Sequence, residues 1–262
     1  MSFETLELTR RDDSIAIVRL NRPQRLNAIN GRVLEELDAA VSAIDADPEI
    51  RVFLLCGAPR LDGRPCFSAG FDLKSVAEGV PLDPHLGARL TDRIDDLLKP
   101  SIAVVDGVCS TGGAELALCC DFRVVGEGLE LSDWHLKRLG TGLGGWGGGV
   151  RWPRLVGVQN AKEIILTGRV VSADDAVRIG FATARHASAD LMGHALAMAG
   201  AIAQMNPKGV RMCLAHLDRY ADMSRDTALR HAIALPGLFG VQVGIEGKAD
   251  AVLGKPAPSK AP

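Results

Sequence analysis

Apolar residues along the first half of the chain change their spacing from one segment to the next. Residues 5–8 and 14–20 read as two strands joined by a polar turn at 10–13. Residues 21–30, NRPQRLNAIN, read as an irregular polar loop. Val33, Leu37, Val41 and Ile44 then recur at spacings of four, four and three, which predicts a helix with one apolar face that ends at Pro48. Residues 52–56, 102–105 and 122–125 are short continuous apolar runs, the pattern of strands buried on both faces. Between them, 57–65 reads as a Gly/Pro loop, 72–78 and 86–98 as helices, and 107–113 as the approach to a helix of small apolar residues through Cys120. This alternation predicts an α/β class.

The rest of the chain reads as helical. Ser172 with Asp175 has the form of a capping box, and Gly180 suits the C-terminal cap of that helix. Further helices are expected at 189–204, 208–222 and after Ser224. The expected division is an α/β core over residues 1–190 and a helical C-terminal region over 191–262, with a Pro-, Ala- and Lys-rich tail from about 254 that frays.

Composition narrows the function classes. Lys+Arg 30 against Asp+Glu 32 leaves a net charge of -2, which lacks the basic field that nucleic-acid or membrane-surface binding needs. Seven Phe, three Trp and one Tyr are too few to build stacking platforms for single strands. No apolar run is long enough for a membrane span, and the N-terminus has no secretory pattern. The six cysteines form no CxxC, so they read as small buried hydrophobes of a reducing, cytoplasmic protein and not as a metal site.

Candidate chemistry concentrates in residues 107–120, GVCSTGGAELALCC, whose only charged residue is Glu115. A carboxylate buried among Ala, Leu and Cys costs several kcal/mol (~) unless paired or protonated, and burial raises its pKa toward the range useful for proton transfer. Glu115 also fits the third position of a helix starting after Gly112, where a carboxylate simply caps. Gly112 and Gly113 allow a ligand close to outward-pointing N–H groups, which suit an oxygen gaining negative charge; tight packing is the other use for such glycines. CFSAGFDLK at 66–74 likewise places small residues before a helix start. GLGGWG at 142–147 satisfies GxGxxG but follows a charged segment and not a strand end, which argues against a dinucleotide site.

Four segments in chain order resemble the crotonase (enoyl-CoA hydratase/isomerase) family. They are LNRPQRLNAIN at 20–30, CFSAGFDLK, KPSIAVVDGVCSTGGAELALCCDFRV at 99–124, and the stretch from GGWGGGVRWPRLVG to ADDAVRIGFA at 144–182. The resemblance implies a spiral of ββα turns and a C-terminal helical region that closes the pocket and builds a homotrimer or dimer of trimers. It also implies an acyl-CoA thioester as substrate, with coenzyme A arriving on that substrate and no separate cofactor or metal. On this chain the family's oxyanion hole maps to the N–H groups of Phe71 and Gly112. Ala69, Phe71 and Leu73 map along the adenine and pantetheine, and Lys74 with Arg25 at the CoA phosphates. Glu115 maps onto the first of two catalytic acids.

The second acid is missing. The family keeps it in F-G-x-P-E-x-x-x-G, and here the stretch is LSDWHLKRLG at 131–140. This places Trp134 on the proline, against the acyl pocket, and His135 on the glutamate, although one additional residue before Gly140 would also allow Leu136 there. His135 can act as an acid or base near neutral pH, or serve as a hydrogen-bonded structural histidine. Asp133, the only nearby carboxylate, faces away from it if the stretch is helical and can meet it in a turn. The leading expectation is an enoyl-CoA hydratase/isomerase-like enzyme that stabilises a thioester enolate. The alternatives are a family hydrolase or C–C lyase using His135, and an acyl-CoA-binding homologue without turnover.

Overall fold

The computed structural model describes residues 3–79, 83 and 85–241. The tail expected to fray from about 254 lies outside the described residues. Two compact units divide the chain, Met1–Met205 and Asn206–Pro262.

The first unit opens with an antiparallel pair, β1 (Leu6–Arg10) and β2 (Ile15–Leu20). Helix α1 (Gly31–Ala46) follows, with the Asn30 side chain accepting from the Val33 amide at 3.0 Å. From β3 (Val52–Gly57) onward, successive strands alternate between two sheets. β3, β5 (Ser101–Val105), β7 (Phe122–Gly126) and β9 (Ala184–His186) extend the first sheet in parallel, giving the order β1-β2-β3-β5-β7-β9. β4 (Cys66–Ser68), β6 (Val108–Ser110) and β8 (Glu130–Ser132) form a second, three-stranded parallel sheet. Helices α2 (Leu73–Ala77) and α3 (Leu86–Asp95) follow β4, α4 (Gly112–Leu118) follows β6, and α5 (Gly148–Thr167) and α6 (Ala173–Arg178) follow β8. Each turn is therefore strand, strand, helix: the ββα spiral that the resemblance implies.

The continuous apolar runs have the expected cause. On β3, Phe53 and Leu55 point into one core with α1 and α3, whereas Val52, Leu54 and Cys56 point into a second core with α7 (Leu191–Ala203). α7 presents Leu191, Ala195, Ala199 and Ala203 to that face, one residue per turn and three of them alanine. The expected boundary at 190/191 groups α7 with the later helices. In the structure it packs on β3 and β5, and the boundary falls after Met205. Short β8 and β9, three residues each, also stand in a region that reads as helical from sequence.

In the second unit, α8 (Pro207–Leu217) is capped by Asn206 and α9 (Arg225–Leu238) by Ser224. Among the described residues of this unit, Leu214 and Leu235 are buried.

Ala199→Leu should overpack the α7–sheet contact and lower unfolding stability by about 1–3 kcal/mol. Urea denaturation reads this directly, and an unchanged midpoint would mean that α7 does not bear on the sheet.

Candidate active site

The second sheet positions the site. Ser110 on β6 lies opposite Ser132 on β8, and Ser68 on β4 opposite Cys109 on β6. The three strands therefore end on one edge, and each hands the chain to a different part of the site: Ala69–Phe71 after β4, Thr111 and Gly112 after β6, and Asp133–His135 after β8. The loop before β4 is held by Asn27, whose amide nitrogen donates to Ala58 O at 2.8 Å and Cys66 O at 3.0 Å. Buried Asp72 caps α2 and pairs with Arg22 at 2.9 Å.

Two loop ends meet closely. A Cβ on Gly70 would lie 1.8 Å from Thr111 Oγ1, so only glycine fits there. Thr111 itself has φ +49°, a conformation that costs a β-branched residue about 1–3 kcal/mol. Phe71 and Gly112, the next residues on each side, both border Trp146: the Phe71 and Trp146 rings meet edge-on at 6.0 Å, and Gly112 leaves no room for a side chain against the Trp146 ring. Among the described residues, neither the Phe71 nor the Gly112 N–H donates to a backbone acceptor.

Glu115 lies one turn into α4 and is 1% exposed. Its Oε1 accepts from the N–H groups of Trp146 at 2.8 Å and Gly148 at 3.0 Å. Its Oε2 lies 3.6 Å from His135 Nε2. Burial pushes the Glu115 carboxyl above the usual range, against the opposing pull of the Gly148 amide, His135 and the Trp146 amide. His135 is buried, whereas Leu136 is 37% exposed. The register is explained by the backbone: His135–Leu139 forms a π-helical turn ending at left-handed Gly140, and the wider turn absorbs the additional residue.

On its other side, His135 Nδ1 meets Asp133 Oδ1 at 2.8 Å, and Asp133 Oδ2 accepts from Trp152 Nε1 at 3.1 Å. Burial lowers the imidazole pKa, but the Asp133 hydrogen bond and the charges of Asp133 and Glu115 outweigh it and leave the value raised. Gly144 covers the pair, since a Cβ there would lie 2.4 Å from Glu115 Oε1 and 2.6 Å from His135 Cε1. Sequence reasoning missed Trp152, Gly144 and the two amides that hold Glu115; the glycine run at 142–149 was the available signal.

A cavity of about 290 Å³ is lined by Leu26, Ala69, Phe71 and Leu73 and by Ser110, Thr111, Ser132 and Trp134, whereas Glu115, His135 and Gly112 do not line it. Trp134 donates from Nε1 to Gly168 O at 3.0 Å and carries the Arg138 guanidinium 3.8 Å above its ring. Arg25 is half-buried in a 3-10 turn at Pro23–Arg25 beside Leu26. Lys74 is exposed on α2, and neither cation has a carboxylate partner among the described residues. The structure thus brings Glu115 and His135 together and gathers Ala69, Phe71, Leu73 and Trp134 around one cavity. Arg25 and Lys74 flank it without lining it. Among the described residues no cluster of three metal-ligating side chains occurs.

A ββα spiral whose small parallel sheet leads to a buried Glu115–His135 pair is the fold of a crotonase-type protein. The profile of the Enoyl-CoA hydratase/isomerase family matches residues 10–236. The short-chain-enoyl-CoA hydratase of Clostridium acetobutylicum is 33% identical over 224 residues, spanning 84% of this chain and 83% of its own. The crotonyl-CoA hydratase of Syntrophomonas wolfei is 31% identical over 234 residues, spanning 87% of each chain. Among solved structures, the enoyl-CoA hydratase of Bacillus anthracis matches with a TM-score of 0.86 at 28% identity, over 96% of this chain and 97% of that one. The chain belongs to the enoyl-CoA hydratase/isomerase family and has the crotonase fold.

The raised His135 pKa has a consequence for stability. Folded His135 holds its proton more tightly than a free imidazole. The stability this contributes is complete below the unfolded value of about 6.5 and is lost as the pH rises through the raised folded value. His135→Gln should therefore be most destabilised relative to the wild type near pH 5.5 (about one unit below that reference) and the gap should narrow above it, read by denaturant midpoints across pH.

Proposed function

We propose that this protein hydrates a 2-enoyl-CoA thioester, using Glu115 and His135 as the proton-transfer pair. The observation that carries the reading is the 3.6 Å approach of His135 Nε2 to Glu115 Oε2 in a buried site. One water can touch both groups at that separation. In the addition, the water oxygen bonds to Cβ, the double-bond electrons move through Cα onto the thioester oxygen, and the enolate then collects a proton at Cα. One proton leaves the water and one reaches Cα, so the pair carries the same number before and after. The N–H groups of Phe71 and Gly112 are assigned to the thioester oxygen, supported by their shared border with Trp146 and their lack of other backbone acceptors.

The cavity suits the pantetheine arm: apolar contact comes from Leu26, Ala69 and Leu73, and hydroxyl groups come from Ser110 and Ser132. Arg25 and Lys74 are placed for CoA phosphates at its flank, and Trp134 for the acyl or thioester end. No resident cofactor is required, because coenzyme A arrives on the substrate. Self-association as a trimer or dimer of trimers is supported by exposed Leu229, Ile233 and Leu238 on α9, and a dilute sample sedimenting as a monomer would count against it. A cytoplasmic location is supported by six free cysteines, of which five are buried.

An isomerase would need one base to move a proton between carbons of a 3-enoyl-CoA, and the raised Glu115 could supply it without His135. Variants separate the two readings. Glu115→Gln should cost crotonyl-CoA hydration at least about 100-fold in kcat with a folded protein, and His135→Gln a comparable amount. If His135→Gln leaves kcat intact while 3-enoyl-CoA is isomerised, the single-base reading replaces hydration. Release of free CoA from saturated acyl-CoA would instead indicate a hydrolase.

A further inference from the structure

Asp133 is 2% exposed and lies in the turn that links β8 to the π-helical turn. Its hydrogen bonds define the state of its neighbour. Oδ1 accepts from the His135 backbone N–H at 3.2 Å, and Oδ2 accepts from Trp152 Nε1 at 3.1 Å. Both of these partners can only donate, so both carboxylate oxygens are acceptors. The third contact, 2.8 Å from Oδ1 to His135 Nδ1, is then satisfied only when Nδ1 carries the proton.

That assignment leaves Nε2 of the neutral ring with a lone pair, aimed at Glu115 Oε2. A lone pair facing a carboxylate is repulsive, and so is a second proton facing a protonated carboxyl. The favourable states place one proton between the two groups. We infer that Asp133, anchored by Trp152, is a positioning residue that fixes His135 in the Nδ1–H tautomer and so sets a single transferable proton on the Glu115–His135 pair. Its catalytic consequence rests on the hydration reading above.

The rest of the surroundings is consistent with this. The charged groups facing His135, among the described residues, are Asp133 on its own segment and Glu115 from α4. The glycine loop contributes Gly144, which has no side chain, and α5 contributes the Trp152 ring, stacked on Phe181 at 5.4 Å. Trp152 is fully buried, so the anchor cannot swing to solvent.

The test uses the full-length protein labelled with 15N-histidine, its ring resonances assigned by difference against His135→Gln. At a pH where the ring is neutral, the wild type should show Nδ1 protonated and Nε2 bare. Asp133→Asn keeps the shape but removes the charge and permits the opposite tautomer. It should lower kcat for crotonyl-CoA hydration by about 10²- to 10⁴-fold with KM nearly constant, and move the His135 limb of the pH profile down toward about 6.5. Trp152→Phe keeps the stacked ring and removes only the Nε1–H donor, so it should shift kcat and the pH limb in the same direction by less. An Nε2–H tautomer in the wild type overturns the inference. So does an Asp133→Asn protein that unfolds more easily but keeps the wild-type kcat, KM and both pH limbs. If the wild type hydrates no enoyl-CoA, the functional reading falls, and the ring tautomer alone then decides the positioning role.

Discussion

A carboxylate that is 1% exposed must find donors or protonate, and the site is arranged around how Glu115 meets that demand. The other residues of α4 are Gly, Ala and Leu, so the helix offers Glu115 nothing polar beyond its backbone. The donors come instead from the backbone at Trp146 and Gly148. This forces a loop to run directly over the carboxylate, which is why Gly144 and Gly148 have little or no space for a Cβ. The loop is tied in turn to α3: Thr91 Oγ1 donates to Trp146 O at 2.9 Å, and the indole fills the space left by Gly87. The same indole borders Gly112 and Phe71. The charged group and the proposed oxyanion donors therefore share one fixed neighbour, so a disturbance at either reaches the other.

A carboxylate facing an imidazole differs electrostatically from a pair of carboxylates. Two carboxylates at this separation repel, and one is driven to protonate by its neighbour. A carboxylate and an imidazole attract when charged and share a proton when neutral. The mutual effect is visible in the directions: His135 lowers Glu115 against its burial, and Glu115 raises His135 against its own. The imidazole also needs an acceptor, which a carboxylate does not, because its second nitrogen carries an N–H that must be satisfied in a buried site. Asp133 meets that need.

The fold was largely legible from pattern, and the site only in part. The runs in β3, β5 and β7 read as doubly buried strands because both faces are covered, one by α1 and α3 and the other by α7. Glu115 stood out as a lone charge in an apolar helix. By contrast β4, β6 and β8 have three residues each, too few for a period to show, yet these strands aim the site. The His135 register stayed open between two positions because a count of residues does not reveal a π-helical turn. Asp133 was visible as a carboxylate two positions early. Helical geometry would point it away, and only the turn before His135 brings its carboxylate back to the ring.

The three short strands explain how His135 is presented to Glu115. The parallel sheet fixes where the backbone leaves β8, through Thr111 N donating to Ser132 O at 3.2 Å and the Ser132–Ser110 hydroxyl contact at 3.0 Å. Beyond Ser132 the chain turns at buried Asp133 and enters the wider turn at His135–Leu139. The imidazole thus reaches Glu115 from a hydrogen-bonded starting point, and Asp133 and the π-helical turn belong to the same short segment. Changes confined to that segment alter the group that faces Glu115 while leaving its two amide donors in place, and through Trp134, Arg138 and Leu139 they also reshape the cavity.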